Sequence, residues 1–342
     1  MTSFSSNFKR IIQHIKGLFC NSHTGSQTIT GYKIAAEKGD TFAQFKLGNA
    51  YYRGEGVPQD YTQAIYWFQK AAEQGFPEAQ YNLGNAYYKS QDYAQAVLWY
   101  RKAAEQGFPE AQYNLGAVYY HGNGVIKDYV QAVYWHRKAA EQGFPEAQYN
   151  LGNAYYFGEG VSQDYTQAVF WYRKAAEQGD SDAQINLGNA YYKGEGVSQD
   201  YAQSVYWYRK AAEQGDPNGQ YKLGSAYNYG EGVPQDYTQS IYWYRKAAEQ
   251  GDSDAQYHLG YAYDFGVGVP QDYTQAVYWY RKVAEQGDSD AQYVLGNAYY
   301  YGNGVSKDNT QAVFWYRKAA EQGNSDAKIK LKKLGINDWL TE

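Results

Sequence analysis

Residues 77–111, PEAQYNLGNAYYKSQDYAQAVLWYRKAAEQGFPEA, hold one unit of a motif that recurs along the chain and decides its fold. The Leu-Gly pair of this unit recurs at intervals of 36 residues, with one interval of 32. The leucines of these pairs are Leu47, Leu83, Leu115, Leu151, Leu187, Leu223, Leu259 and Leu295. A tryptophan recurs in step, and this one position accounts for eight of the nine tryptophans. Self-similarity at such a period predicts a tandem repeat array.

Each unit contains two apolar stripes with helical spacing. In the first half, Ala79, Leu83 and Tyr87 lie at i, i+4 and i+8. In the second half, Trp67 and Ala71 belong to a stripe with the same period. A single hairpin of two such helices cannot bury its own apolar face, whereas stacked neighbours can. The sequence therefore predicts an all-α array in which each unit is helix A, a turn and helix B.

Polar residues and glycines mark the ends of these helices. Asp60, with Gln63 three residues later, is placed to cap helix B, and Gly75 is placed to end it. Gly54 and Gly56 lie in the turn between the helices, where we expect a positive φ angle. The glycine of each Leu-Gly pair is expected to let helices A and B approach closely.

The composition favours a folded, aromatic-rich protein over a membrane or nucleic-acid-binding one. Forty-two tyrosines require burial or a partner, the net charge is −5, and no apolar run approaches a membrane span. Lys9, Arg10 and Lys16 are not followed by the apolar stretch of a secretory signal, and the single cysteine excludes an internal disulfide framework. We therefore expect a cytoplasmic protein. The alternative is a host-directed effector exported without such a signal.

The combined pattern Ala-x-x-x-Leu-Gly-x-x-Tyr, Gly-x-Gly-Val-x-x-Asp, Ala-x-x-Trp-Tyr and Lys-Ala-Ala-x-x-Gly resembles the Sel-one-like repeat (SLR), a relative of the tetratricopeptide repeat. The resemblance covers residues 41–324 as eight tandem repeats, which we number 1 to 8. It implies a right-handed superhelical α-solenoid with helix A on the concave side. It also implies a role as adaptor, scaffold, host-interaction factor or signalling regulator, and many such proteins are bacterial.

The flanking segments are expected to differ from the repeats. Residues 1–30 are interpreted as an amphipathic helix and linker, residues 31–40 as a half-repeat cap, and residues 325–342 as a C-terminal capping helix. The apolar stripe within residues 4–19, with its basic residues mostly off the stripe, either covers the first repeat or makes weak peripheral contact with an anionic membrane. Repeat 2 lacks four turn residues. We expect a monomer.

The helix A face opposite the core stripe is the predicted binding groove. Its first position is mostly acidic, its second and fourth are mostly Tyr, and its third is mostly Asn. The predicted groove residues are Tyr81, Asn85, Tyr88, Tyr113, Tyr120, Tyr149, Asn153, Tyr156, Asn189, Tyr192, Tyr221, Tyr257, Tyr261, Asp264, Tyr293, Asn297 and Tyr300. Such a surface favours a protein or peptide partner that carries Lys or Arg. The alternative is that these residues recur by duplication and that some tyrosines pack between helices.

Repeats 6 and 7 interrupt this pattern with Asn228, Tyr261 and Asp264, either by drift or as a specificity pocket. Near the centre of the array, the hypothesis assigns much of the affinity to Tyr113, Tyr149, Asn153 and Tyr156.

Catalytic chemistry is not indicated by the motifs. Five scattered histidines, among them His136 within a helix B, lack metal-ligand spacing and are interpreted as structural, and no Gly-x-Ser-x-Gly elbow occurs. We expect no cofactor and no metal. Cysteine-rich branches of the resembled family suggest a β-lactamase-like or penicillin-binding hydrolase as an alternative, although the repeats here contain no cysteine. RNA binding is a further alternative, which the acidic margin of the groove opposes.

Overall fold

The computed structural model describes residues 25–336, and all regular elements within that range are α-helices. In chain order they are α1 Gly25–Glu37, α2 Thr41–Arg53, α3 Tyr61–Glu73, α4 Pro77–Lys89, α5 Tyr93–Glu105, α6 Pro109–His121, α7 Tyr129–Glu141, α8 Pro145–Phe157, α9 Tyr165–Glu177, α10 Ser181–Lys193, α11 Tyr201–Glu213, α12 Pro217–Tyr229, α13 Tyr237–Glu249, α14 Ser253–Phe265, α15 Tyr273–Glu285, α16 Ser289–Tyr301, α17 Asn309–Glu321 and α18 Ser325–Lys333. From α2 onward, helices A and B alternate, as predicted.

The predicted apolar stripes form the core. The leucine of every Leu-Gly pair is fully buried, together with the alanines around it. A Cβ atom at Gly84 would lie 2.6 Å from Cδ1 of Tyr100, so the glycine is what allows helix B to lie against helix A. The expected close approach is therefore confirmed.

The helix ends have the predicted chemistry. The carboxylate of Asp60 accepts hydrogen bonds from the backbone N–H groups of Thr62 and Gln63. Gly54 and Gly75 have φ angles of 71° and 91°. The second glycine of each later turn has an additional role, because a Cβ at Gly196 would lie 2.2 Å from the carbonyl oxygen of Tyr165 in the preceding repeat.

Buried glutamines join neighbouring repeats, which the sequence reasoning did not anticipate. Gln80 Nε2 donates to the carbonyl oxygen of Ala72 at 3.1 Å, and its Oε1 accepts from Gln106 Nε2 at 2.8 Å. The equivalent glutamines in helix A are buried in all eight repeats. Each polar group is thus paired inside the stack, which avoids the free-energy cost of an unsatisfied buried amide.

The first cap behaves as a helix B. It begins at Gly25, six residues earlier than the expected half-repeat, and Ala36 near its end accepts a hydrogen bond from Gln44 as Ala72 does from Gln80. At the other end, Ala327 and Leu331 of α18 are buried like the residues of a helix A. Residues 1–24 and 337–342 lie outside the described residues, and with them the predicted amphipathic stripe of residues 4–19.

The chain separates into two compact units between Ala147 and Gln148. The short turn of repeat 2 lies in the first unit, where Gln91 has a φ angle of 65°, the one non-glycine residue with positive φ in residues 25–336. Over the same part of the chain, no helix is long and apolar enough to cross a membrane.

Candidate protein-interaction surface

The tyrosines at the second position of the predicted groove are half-buried at the border between helices A and B. Tyr81 lies 6.2 Å from Tyr100 between ring centroids, and Tyr149 lies 6.1 Å from Tyr172. The same arrangement occurs at Tyr113, Tyr221, Tyr257 and Tyr293. These rings therefore support the core with one side and leave part of their surface on the helix A face.

The asparagines at the third position are already engaged within their own repeat. The buried hydroxyl of Tyr172 donates to Asn153 Oδ1 at 2.7 Å. Three further pairs repeat this bond at 2.7 to 2.8 Å, namely Tyr100–Asn85, Tyr208–Asn189 and Tyr316–Asn297. The expectation that each amide offers both its donor and its acceptor to a peptide backbone therefore needs correction, because the acceptor is shared with a core tyrosine.

The tyrosines at the fourth position connect to the turn of the next repeat. Tyr156 donates to Glu195 Oε2 at 3.0 Å, Tyr192 donates to Glu231 Oε1 at 3.1 Å, and Tyr88 accepts from Asn123. Their rings also contact the first tyrosine of their own helix B, as they do at Tyr120. Tyr300 lies instead under the Lys330 ammonium, 4.0 Å from its ring centroid.

The interruption in repeats 6 and 7 has a structural counterpart. In repeat 5, Tyr192 donates a hydrogen bond to Glu231 in the turn of the next repeat. One repeat later, Asn228 replaces the tyrosine and Val267 replaces the glutamate, so both partners of this hydrogen bond are replaced together. Tyr261 is exposed and stacks on Phe265 at 4.6 Å. Asp264 is half-buried, and this burial raises the pKa of its carboxyl group.

The residue that precedes helix A varies along the chain: it is an aspartate before α2, a phenylalanine before α4, α6 and α8, and an aspartate or asparagine from α10 onward. In the first unit, Phe108 lies 5.3 Å from Tyr81 and Phe144 lies 5.2 Å from Tyr113, between ring centroids. In the second unit the corresponding residues are aspartates, except for Asn324 before α18. Asp252 caps its helix by accepting a hydrogen bond from the Ala255 amide at 2.8 Å. The groove tyrosines of the second unit therefore lack the phenylalanine neighbour.

Pairs of aspartates flank the groove tyrosines of the second unit. Burial is the main cause that raises the pKa of Tyr221 to about 12, and Asp254 and Asp252 contribute. Burial and then Asp290 and Asp288 likewise raise the pKa of Tyr257. Burial, with a smaller contribution from Asp182 and Asp180, does the same at Tyr149. The hydroxyls consequently stay protonated and can donate hydrogen bonds, beside carboxylates that attract cations. A cavity of about 210 Å³ lies among Asp254, Tyr257, His258, Asp288 and Asp290.

Helix B presents a row of exposed large apolar residues, aromatic at all positions but one, that the sequence reasoning missed. Tyr206 is about half exposed, its ring lies edge-on against Trp207, and the Lys210 ammonium lies 5.6 Å from its centroid. The row comprises Tyr66, Leu98, Tyr134, Phe170, Tyr206, Tyr242, Tyr278 and Phe314. Its signal in the sequence was a large apolar residue directly before each tryptophan and off the apolar stripe.

His136 is an exception among the helix B residues that contact helix A. It replaces the usual tyrosine, and its partner position holds Ala117 instead of asparagine. Its ring is buried, Nε2 has no hydrogen-bond partner, and burial lowers its pKa to about 4. The interpretation of this histidine as a satisfied structural residue is therefore wrong for its Nε2 atom. Among residues 25–336, no group of three His, Cys, Asp or Glu residues is placed to hold a metal ion.

Comparison with known proteins gives consistent results. The Sel1 repeat family model matches eight consecutive segments that together cover residues 41–324. A protective antigen of uropathogenic Escherichia coli with an SLR fold is 47% identical, with a TM-score of 0.85, over 90% of this chain and 67% of that one. A Sel1 repeat protein from Oxalobacter formigenes is 37% identical, with a TM-score of 0.72, over 91% and 92% of the two chains. A search of curated protein sequences gave no match. The chain belongs to the Sel1 repeat family and has its all-α repeat-solenoid fold.

Proposed function

We propose that this chain is a non-enzymatic interaction scaffold whose helix A surface in the second unit binds a polypeptide segment rich in Lys or Arg. The observation that carries this proposal is the recurrent placement of two aspartates beside a groove tyrosine, at Tyr149, Tyr221 and Tyr257. Sel1 repeats are typically protein-interaction scaffolds, which supports the general class but not the surface or the partner.

The two aspartates of each pair have different roles. The first accepts the capping hydrogen bond of its own helix, as Asp288 does from the Ala291 amide at 2.7 Å. The second, such as Asp254, is exposed at the second position of the helix. Both stabilise the helix through its dipole, so their presence alone has a purely structural explanation. The tyrosines add the binding argument, because a rigid ring with a donor hydroxyl beside carboxylates suits the stem and head of a lysine or arginine.

The asparagines contribute less than the sequence suggested. Asn153 Oδ1 accepts from both Tyr172 and Asn186, so Asn153 presents mainly its amide donors to a bound backbone, whereas Asn189 Oδ1 accepts from Tyr208 and keeps one lone pair. Replacement of such an asparagine by alanine would also remove a partner from a buried hydroxyl. A loss of binding in that variant would therefore not distinguish a binding role from a structural one.

The test is selection from a random 12-residue peptide library displayed on phage, with the immobilised full-length protein as bait. We expect the selected peptides to be enriched in Lys and Arg. The variant D182N/D254N/D290N removes three carboxylates from the helix A face and should bind a selected peptide about tenfold more weakly, since rim charges contribute up to about 1 kcal/mol each.

A matched control removes the same number of charges elsewhere. The variant E177Q/E249Q/E285Q changes exposed glutamates at the ends of α9, α13 and α15, all in helix B. This control should retain the affinity of the unmodified protein. If both variants lost the same affinity for the selected basic peptide, the loss would be an effect of net charge. The assignment of the binding site to the helix A surface would then be wrong. A library that yields no binder would overturn the proposed function itself.

A further inference from the structure

Amide side chains bridge adjacent A helices at the third groove position. Asn114 Nδ2 donates to Asn85 Oδ1 at 3.2 Å in the first unit. Asn186 Nδ2 donates to Asn153 Oδ1 at 3.4 Å in the second. The donor belongs to the later repeat, and the acceptor is the asparagine that also binds the buried tyrosine hydroxyl. This bridge joins repeats 1 and 2, 2 and 3, and 4 and 5, whereas repeats 6, 7 and 8 carry Lys222, His258 and Val294 at the donor position.

The bridge is absent between repeats 5 and 6. Asn189 is present as the acceptor and is bound by Tyr208, but Lys222 occupies the donor position and Ser225 replaces the next asparagine. A cavity of about 180 Å³ opens there, and Lys222, Ser225, Asn189 and Glu231 are among the residues that line it. At the other end of the array Lys330 takes the donor position next to Asn297, but its ammonium bonds the Tyr301 hydroxyl.

The polar groups around the cavity include an unsatisfied one. Ser204 stands where most repeats have alanine, is 1% exposed, and its hydroxyl has no hydrogen-bond partner. Lys193 lies 3.8 Å from Glu195, and Glu231 accepts from Tyr192. Lys222 has no carboxylate oxygen within 4 Å in the described part of the chain. The lining therefore offers both donors and acceptors.

We infer that this cavity receives the side-chain amide of a glutamine or asparagine in the bound polypeptide, an inference that rests on the proposed function. The guest amide takes the place of the missing bridge: its N–H₂ donates to Asn189 Oδ1 or Glu231, and its oxygen accepts from Lys222 or Ser225. A primary amide is the one uncharged side-chain group with two donors and an acceptor in a plane.

A carboxylate guest fits less well despite the lysine. It offers no donor to Asn189 Oδ1, and it meets the carboxylate of Glu231 in the same cavity. An apolar guest would cover Lys222 and Ser225 without offering either of them a hydrogen-bond partner. The cavity consequently selects for an amide within a ligand whose other contacts are with basic residues.

The variant K222N/S225N tests this assignment, because it restores the two asparagines that other repeats carry and lets the chain fill its own cavity. The same phage library is selected with the unmodified protein and with this variant. We expect Gln or Asn at a fixed distance from the basic residues in peptides selected by the unmodified protein, and no such position in peptides selected by the variant. Far-ultraviolet circular dichroism and the melting temperature of both proteins verify folding.

A synthetic peptide from the first selection then gives a quantitative comparison by fluorescence anisotropy. Replacement of its Gln by Leu should weaken binding about tenfold to the unmodified protein and less than about twofold to K222N/S225N. A selection that prefers Glu or Asp at that position would overturn the amide assignment, as would equal losses in both proteins. In either case the proposed function would be decided separately. Its test is whether the selected peptides are enriched in Lys and Arg, and whether their binding depends on Asp182, Asp254 and Asp290.

Discussion

The helix A face is built in two ways within one chain. In the first unit the rings of Tyr81 and Tyr113 lie against Phe108 and Phe144. In the second unit the residue at the phenylalanine position is an aspartate before α10, α12, α14 and α16, as at Asp252 beside Tyr221. One residue, contributed by the start of the next repeat, thus decides whether a tyrosine faces an aromatic ring or carboxylates. A row of identical tyrosines is not one uniform surface.

An aspartate and a phenylalanine at the position before helix A stabilise that helix to a similar extent. Asp252 supplies a capping hydrogen bond, which contributes about 1 kcal/mol in typical helices. Phe108 supplies none, but Pro109 occupies the first helical position, where proline is favourable, and the ring contact with Tyr81 contributes a similar amount. The chemistry of the face can therefore change from repeat to repeat while the backbone stays the same.

The largest predicted effect tests whether the core beneath these faces is the same in both units. Trp99 and Trp207 are each 7% exposed and occupy equivalent positions in repeats 2 and 5. We expect W99A and W207A each to lower the free energy of unfolding by about 3–5 kcal/mol, because each leaves a cavity between repeats. Urea unfolding followed by far-ultraviolet circular dichroism measures both. If one variant lost less than about half as much as the other, the two cores would not be equivalent.

A second prediction places an acid-sensitive site in the first unit. The pKa of His136 is about 4 in the folded chain and 6.5 in the unfolded chain, so the unfolded state binds the proton first as pH falls. The stabilisation is complete above pH 6.5 and is lost as pH falls toward 4. A shift of this size corresponds to about 3 kcal/mol.

The variant H136Y/A117N restores the tyrosine–asparagine pair that Tyr100 and Asn85 form in repeat 2. Between pH 7 and pH 4, the free energy of unfolding should fall by about 3 kcal/mol less in this variant than in the unmodified protein. All other titrating groups are common to both proteins, so the difference isolates the histidine. Parallel pH profiles would show that His136 does not titrate in this way.

Much of the fold follows from the sequence because its signals are local or strictly periodic. The buried Leu-Gly pairs, the Asp60 cap and the positive φ of Gly54 each depend on residues close together in the chain. The family comparison agrees with the same repeat boundaries. The buried Gln80 escaped this reasoning, because a polar residue is assigned to the surface unless its partners are known, here Ala72 in the preceding hairpin and Gln106 at the end of its own hairpin.

The site was only partly predictable for a related reason. Helical spacing grouped Tyr149, Asn153 and Tyr156 on one predicted face, but it could not show which of their atoms are already bound. Tyr172 reaches Asn153 from another helix, and Glu195 reaches Tyr156 from the turn of the next repeat. Likewise, Lys222 is an ordinary surface residue in the sequence. The structure shows that Lys222 occupies the position from which Asn186 bridges to Asn153 one repeat earlier, and that it lines a cavity where this bridge is missing.

The smallest predicted effect is the change in the free energy of unfolding when the phenylalanine before a helix A of the first unit is replaced by the aspartate found in the second unit. In F108D, the new carboxylate can accept the capping hydrogen bond that Phe108 cannot supply, while the ring contact with Tyr81 is lost. Because these contributions are each about 1 kcal/mol and opposite in sign, we expect the free energy of unfolding to change by less than about 1 kcal/mol. Chemical unfolding at neutral pH measures this change.

The control F108A removes the ring contact without adding a cap, so it should be less stable than F108D by about 1 kcal/mol. This order matters more than either value alone, because it separates the capping bond from the ring contact at one position. If F108D were instead less stable than F108A, the phenylalanine site would not tolerate a carboxylate. Phe108 would then be required for the packing of its own repeat, because the backbone at this position is the same as at Asp180, where an aspartate caps the helix.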